Sequence, residues 1–205
     1  MKRLFVVGLG PGGRDGMTLE AKKALEQSEV ICGYTAYADL IREDYPEKEY
    51  LVSGMTKEVE RCHMALLAAQ GGKTTAMICS GDAGVYGMAG LVLSLAEKYP
   101  ETEVVIVAGV TAALSGAARA GRTADERFCR DFPVRPSDTK GRDREKAPCG
   151  GSGRFFHLSV QSVEQKAGGL SELGMPYFIR ILCAGYALWW VRMIGRQDEE
   201  KKTCT

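Results

Sequence analysis

Three times in its first half the chain runs apolar, breaks into glycine and resumes with helical spacing. Leu4-Phe5-Val6-Val7 breaks into Gly8-Leu9-Gly10-Pro11-Gly12-Gly13. Ala76-Met77-Ile78-Cys79 breaks into Ser80-Gly81-Asp82-Ala83-Gly84-Val85-Tyr86-Gly87, and Val104-Val105-Ile106-Val107 into Ala108-Gly109-Val110-Thr111-Ala112. Short uninterrupted apolar runs read as strands buried on both faces. Strands alternating with helices build a parallel α/β sheet, and ligands gather where such strands end. Gly81, Gly84 and Gly87 carry no Cβ, so backbone there can approach a ligand closely, and Asp82 adds a carboxylate at the same edge.

The stretches between fit that frame. Thr18 is a good N-cap for a helix through Leu19, Ala21, Lys22, Ala24 and Leu25. Val30-Ile31-Cys32 is a second strand ending in Gly33-Tyr34, followed by a short helical piece from Tyr34 to Tyr37. Tyr50-Leu51-Val52 is a third strand. Lys57–Gln70 has helical spacing and stops at Gly71-Gly72. A helix follows the central loop to Lys98, and another spans Thr111–Ala120. His63 has no partner at metal-ligand spacing and is read as a surface or helix-packing residue.

Gly8, Gly10 and Gly13 match G-x-G-x-x-G, which raises a nicotinamide-dependent oxidoreductase. Two features oppose it. Pro11 and Asp15-Gly16 delay the helix to Thr18, so its first amides do not meet a pyrophosphate at the second glycine. The second strand also lacks the terminal acid that would hold a ribose. None of the three turns brings together a base, a nucleophile and an orienting group, so no catalytic residue is assigned. Such a site suits a small cofactor that brings its own electrophile.

Composition excludes other classes. With 27 basic and 26 acidic residues the net charge is +1, which gives no footprint for nucleic acid or an anionic membrane. Seven cysteines include no CxxC pair and no metal-ligand spacing, as expected of a reduced, cytoplasmic protein without a metal. Met1-Lys2-Arg3 leads straight into a strand pattern with no signal-peptide cleavage site. The apolar run from Ile181 to Val191 is about half the roughly 20 residues of a membrane span.

The three turns together resemble those of the tetrapyrrole (corrin/porphyrin) methylases. That family has a GxGPG loop after the first strand (here Gly8–Gly12), a GD-centred loop (Gly81-Asp82), and a GxTA turn (Gly109-Val110-Thr111-Ala112). Ala108 stands where the family usually has proline. The wider text, SGDAGVYGMAG with GYTAY and SGMTKEVERC upstream, is similar to the branch that methylates C17 of precorrin-3B or its cobalt analogue, with ring contraction, in cobalamin biosynthesis. The resemblance covers residues 1 to about 121. It implies S-adenosyl-L-methionine as cofactor, contacted by Pro11, Ser80, Gly81, Asp82, Val85, Thr111 and Ala112. It implies a substrate cleft at Gly10, Gly12 and Tyr86, a tetrapyrrole whose carboxylates meet Arg and Lys, and a homodimer.

From Gly121 the texture changes. Arg122–Gly153 is dense in Arg, Asp, Gly, Pro and Ser and has no periodicity, whereas the family continues into a second α/β domain. Codons for Cys129–Thr139 and Arg154–Ser171 can be chosen so that the next frame reads AVISLSDLLT and DFSICLYNPSSRKRADYL, both similar to family text. About 121–189 is therefore read as frame-shifted, with a lineage-specific insertion or divergent domain as the alternative. The expectation is an α/β methylase-like domain with a parallel-dominated sheet over 1–120. Residues 121–205 should be a degraded, truncated and poorly ordered remnant, with a short helix between Met175 and Met193. The Phe178–Trp190 run would then be an aggregation hazard. An inactive remnant remains an alternative to the active methyltransferase.

Overall fold

The computed structural model describes residues 2–119 throughout, and beyond them the backbone of five strands: Arg127–Arg130, Phe155–Ser162, Tyr177–Cys183, Leu188–Arg192 and Glu200–Cys204. The chain divides into two compact units, the first centred on residues 1–115.

In the first unit the elements are β1 (Arg3–Gly8), α1 (Leu19–Gln27), β2 (Val30–Tyr34), α2 (Thr35–Asp39), β3 (Glu49–Ser53), α3 (Glu58–Gln70), β4 (Thr75–Cys79), α4 (Ala89–Ala96) and β5 (Glu103–Val107), and α5 (Ala112–Arg119) begins in it and runs past its end at Ser115. The five strands form one sheet in the order β3-β2-β4-β1-β5, every pair parallel. β4 is central, and β1 lies between it and the edge strand β5: Gly8 lies opposite Cys79 of β4, and Val7 opposite Val107 of β5. The inner strands β1 and β4 are buried almost throughout, as their unbroken apolar runs require.

Side chains alternate across the sheet and build two cores. Phe5, Val7, Ile31, Ala76 and Ile78 face Ala21, Ala24 and Leu25 of α1, with Ala38 of α2 and Ile41. Leu4, Val6, Cys32, Met77 and Cys79 face Cys62, Ala65, Leu66 and Ala69 of α3 and Ala89 and Val92 of α4. The chain thus leaves β1 toward one face, through α1, and leaves the neighbouring β4 toward the other, through α4. Adjacent strands with connections diverging to opposite faces open a crevice at their carboxyl ends.

In the second unit, β6 (Arg127–Arg130), β7 (Phe155–Ser162), β8 (Tyr177–Cys183), β9 (Leu188–Arg192) and β10 (Glu200–Cys204) pair in sequence order. β6 and β7 are parallel and the rest antiparallel. β8 and β9 correct the expectation of a helix between Met175 and Met193. A short apolar run carries no helical or strand period of its own, and pairing decides it. The frame-shift reading of 121–189 falls largely on 131–154 and 163–176, which lie outside the described residues.

Candidate functional site

The three glycine turns leave β4, β1 and β5, which are neighbours, so they meet at one edge of the sheet. Gly10 and Gly81 form an antiparallel bridge: Gly10 N donates to Gly81 O at 2.9 Å and Gly81 N to Gly10 O at 2.7 Å. This bridge spans the crevice between β1 and β4. Gly10 and Gly81 have φ of 78° and 70°, a left-handed backbone that glycine adopts without a Cβ penalty.

The third corner closes on the first two. A Cβ on Gly109 would stand 2.2 Å from Gly81 O and 2.7 Å from Gly8 C, and one on Gly8 would stand 2.7 Å from Gly109 N. The missing side chains at Gly8 and Gly109 therefore admit backbone against backbone. A Cβ on Gly87 would likewise meet Ala83 O at 2.2 Å.

Asp82 holds the corners together. Its Oδ1 accepts from Gly84 N at 2.8 Å and Val85 N at 3.1 Å, and its Oδ2 accepts from Gly109 N at 2.9 Å. One carboxylate thus shapes its own loop and ties that loop to the turn after β5. Such charge-assisted bonds to amides are roughly twice as strong as neutral ones. Thr18 adds a second tie: its Oγ1 accepts from Ala21 N at 3.1 Å, capping α1, and donates to Ala108 O at 3.2 Å. The cap was legible in the sequence; the bond to Ala108 was not.

The residues singled out from sequence fall on this edge. Gly10, Pro11 and Gly12 lie in the loop after β1, Ser80, Gly81, Asp82, Val85 and Tyr86 in the loop after β4, and Thr111 and Ala112 where α5 begins. Gly10–Gly13 and Ser80 line one hollow with Leu9, Met17, Leu40 and Ile41. Thr111 and Ala112 sit beside Gly81: a Cβ there would be 3.4 Å from Ala112 N. Tyr86 is 40% exposed with φ 56°, an uncommon backbone for a residue with a side chain. Met17, Leu40 and Ile41, which also line the hollow, were missed because they lie between elements and carry no motif.

The residues lining the hollow are glycines, one serine and apolar side chains, and none is ionisable. It offers little to a pyrophosphate. α1 starts only at Leu19, after a short turn at Arg14–Gly16, and its first amides are capped by Thr18. Gly10, the second glycine of the dinucleotide-like motif, is committed to its bridge with Gly81. The three cysteines described, Cys32, Cys62 and Cys79, are buried and free, and burial pushes Cys32 up to about 12 and Cys62 and Cys79 up to about 11. Thiols held neutral in this way are poor nucleophiles. Among the described residues no cluster of His, Cys, Asp or Glu could hold a metal, and no helix is long and apolar enough to cross a membrane.

Comparison with known proteins agrees with this geometry. The family model described as Tetrapyrrole (Corrin/Porphyrin) Methylases matches residues 3–205. The chain is 42% identical over 127 residues to the probable cobalt-factor III C(17)-methyltransferase of Salmonella typhimurium, covering 62% of this chain and 53% of that one. It is 36% identical over 130 residues to the precorrin-3B C(17)-methyltransferase of a Sinorhizobium species, covering 62% and 51%. The crystal structure of the methyltransferase CobJ superimposes with a TM-score of 0.56 at 36% identity, covering 62% of this chain and 54% of that one. The chain thus spans about half the length of the curated relatives it matches.

Proposed function

Because the chain belongs to the tetrapyrrole (corrin/porphyrin) methylases, we propose that it transfers a methyl group from S-adenosyl-L-methionine to C17 of precorrin-3B or its cobalt analogue, a step coupled to ring contraction in cobalamin biosynthesis. The observation that carries the reading is the crevice between β1 and β4, bridged by Gly10 and Gly81 and closed by Gly109.

The residues present fit a sulfonium nucleoside better than a dinucleotide. Gly10–Gly13 and Ser80 line a hollow with Met17, Leu40 and Ile41, and that lining holds no cation to meet a pyrophosphate. When bound, the cofactor supplies an electrophilic methyl and leaves as a neutral thioether, so the protein need not provide a nucleophile. The work left to this chain is alignment. Asp82 fixes the loop after β4 against the turn after β5, and Tyr86 stands half-exposed on that loop at the edge assigned to substrate.

A second reading, a methylase remnant, draws support from one fact: similarity to the curated relatives extends over only 62% of the chain. Calorimetry on the full chain tests both. S-adenosyl-L-methionine should bind with measurable heat and NAD should not. Binding of NAD alone would return the glycine motif to a nicotinamide enzyme. Absence of heat with either would favour the remnant, and limited proteolysis would then be expected to remove residues beyond 120 first.

A further inference from the structure

The loop after β1 runs along the hollow as a strap tied down at both ends. At one end Gly10 is bridged to Gly81, and at the other Thr18 is bonded to Ala108 O. Just inside these ties Pro11 is buried and Met17 packs against the core that contains Ile41. Gly12–Gly16 remain between them, with Gly13, Arg14 and Asp15 exposed at the tip. The two necks of this stretch touch: a Cβ on Gly10 would stand 2.3 Å from Gly16 O, and one on Gly16 would stand 3.3 Å from Pro11 Cδ. Gly12 and Gly13 have φ of 151° and 67°, so one neck is glycine backbone. A short loop whose ends meet can swing as a unit about such necks.

Little else holds the strap down. Its backbone bonds, Gly16 N to Gly13 O and Met17 N to Arg14 O, are both 3.3 Å long and both internal. Among the described residues its one side-chain bond to the rest of the unit runs from Arg14 Nη1 to Asp44 Oδ1 at 3.2 Å. Asp44 stands on a fixed post: its N–H donates to Ile41 O at 3.0 Å, and buried Tyr45 donates to the same carbonyl at 3.1 Å. Gly12 and Gly13 line the hollow from the strap, and Leu40 and Ile41 line it from the segment that carries Asp44. The ion pair therefore joins the two segments that wall the hollow. With the Arg14 side chain 68% exposed the pair is a weak one, which suits a fastening that opens. With the strap down the hollow has room for about one water molecule. A ligand of nucleoside size buries most of its surface in its pocket, so it needs the strap raised.

We propose that Gly12–Gly16 is a gate over the hollow, latched by Arg14 and Asp44, and that the latch must part for a ligand to enter or leave. The inference rests on the reading above that the hollow takes part of S-adenosyl-L-methionine. Neither Arg14 nor Asp44 lines the hollow, so the latch sets the rate of exchange and not the fit. Its loss weakens the closed form equally with and without ligand. Association and dissociation then quicken together, by about two- to fivefold for an exposed pair, and affinity stays where it was.

The test has two arms, both on the full chain. The first uses no ligand: trypsin cleavage after Arg14 is followed by mass spectrometry, relative to a free peptide of residues 11–17. Asp44→Asn should raise that rate about two- to fivefold. Sodium chloride at about 1 M, where the Debye length is near 3 Å, should raise the wild-type rate similarly and leave Asp44→Asn unchanged. The second arm measures S-adenosyl-L-methionine on- and off-rates by surface plasmon resonance for Asp44→Asn and Arg14→Gln. Both rates should rise by one common factor, with Kd at its wild-type value. A wild-type cleavage rate in Asp44→Asn overturns the latch. A faster off-rate with a wild-type on-rate overturns the gate, since the pair would then hold the ligand in place. Should Asp44→Asn not fold, Arg14→Gln decides by the two rates alone. A wild-type chain that binds no S-adenosyl-L-methionine refutes the cofactor reading, while the cleavage arm separately confirms or overturns the latch.

Discussion

Replacing Asp82 with asparagine changes almost no volume and removes one charge, which makes it the sharpest probe of the crevice. The carboxylate accepts three amides, Gly84 and Val85 on Oδ1 and Gly109 on Oδ2, between 2.8 and 3.1 Å. In Asp82→Asn one oxygen can keep the Gly84 and Val85 bonds, and the amide NH2 then faces the Gly109 N–H, donor against donor. The variant loses one charge-assisted bond, worth about 1.5–3 kcal/mol, and weakens two others. The expected destabilisation is about 2–3 kcal/mol by urea unfolding on the full chain. Because Gly109 packs its backbone on Gly8 and Gly81, release of that turn disturbs all three corners. Affinity for S-adenosyl-L-methionine should fall by about tenfold or more, as loss of about 1.4 kcal/mol dictates. A variant within about 0.5 kcal/mol of wild type that also binds the cofactor normally would refute the argument that Asp82 latches the crevice.

Two further outcomes are expected. Thr18→Val, which removes both the cap on Ala21 N and the bond to Ala108 O, should cost about 1–2 kcal/mol, while Thr18→Ser should restore most of it; equal losses in both variants would show that the methyl, not the hydroxyl, matters. Burial raises Cys32, Cys62 and Cys79 above the ordinary 9.0, so above that pH the unfolded chain gives up thiol protons that the folded chain keeps. The folded chain then binds more protons than the unfolded one, so this contribution is full below pH 9 and declines from about 9 toward 11 or 12. Burial shifts Tyr45 and Tyr50 in the same direction, so the urea midpoint between pH 8 and 10 should be compared with that of Cys32→Ala, whose decline should be shallower.

All five strands of the first sheet were legible because each is a short apolar run bounded by turn residues, and α1 because Thr18 caps it. Their order was not: β1 lies between β4 and β5 through pairings about 70 and 100 residues apart, which no local pattern encodes. The corner residues were legible as glycines, but their use was not. Gly8 and Gly109 need each other's missing Cβ, and a sequence shows only that each lacks one. Asp82 was legible as a carboxylate at the edge, whereas its three amide partners, one of them 27 residues away, depend on the fold. Arg61 was not singled out in the sequence. Only the closeness of Ser53 and Gly54 to the first turn of α3 brings it inside.

The inner place of β1, between β4 and β5, has a consequence during synthesis. Arg3–Gly8 is made first, yet its neighbours are Thr75–Cys79 and Glu103–Val107, so it leaves the ribosome with both edges open. At translation rates of about 5–20 residues per second, that ribbon waits on the order of 5–20 s for its second neighbour. Until then Leu4, Phe5, Val6 and Val7 present an unpaired apolar edge of the kind that recruits other strands and chaperones alike.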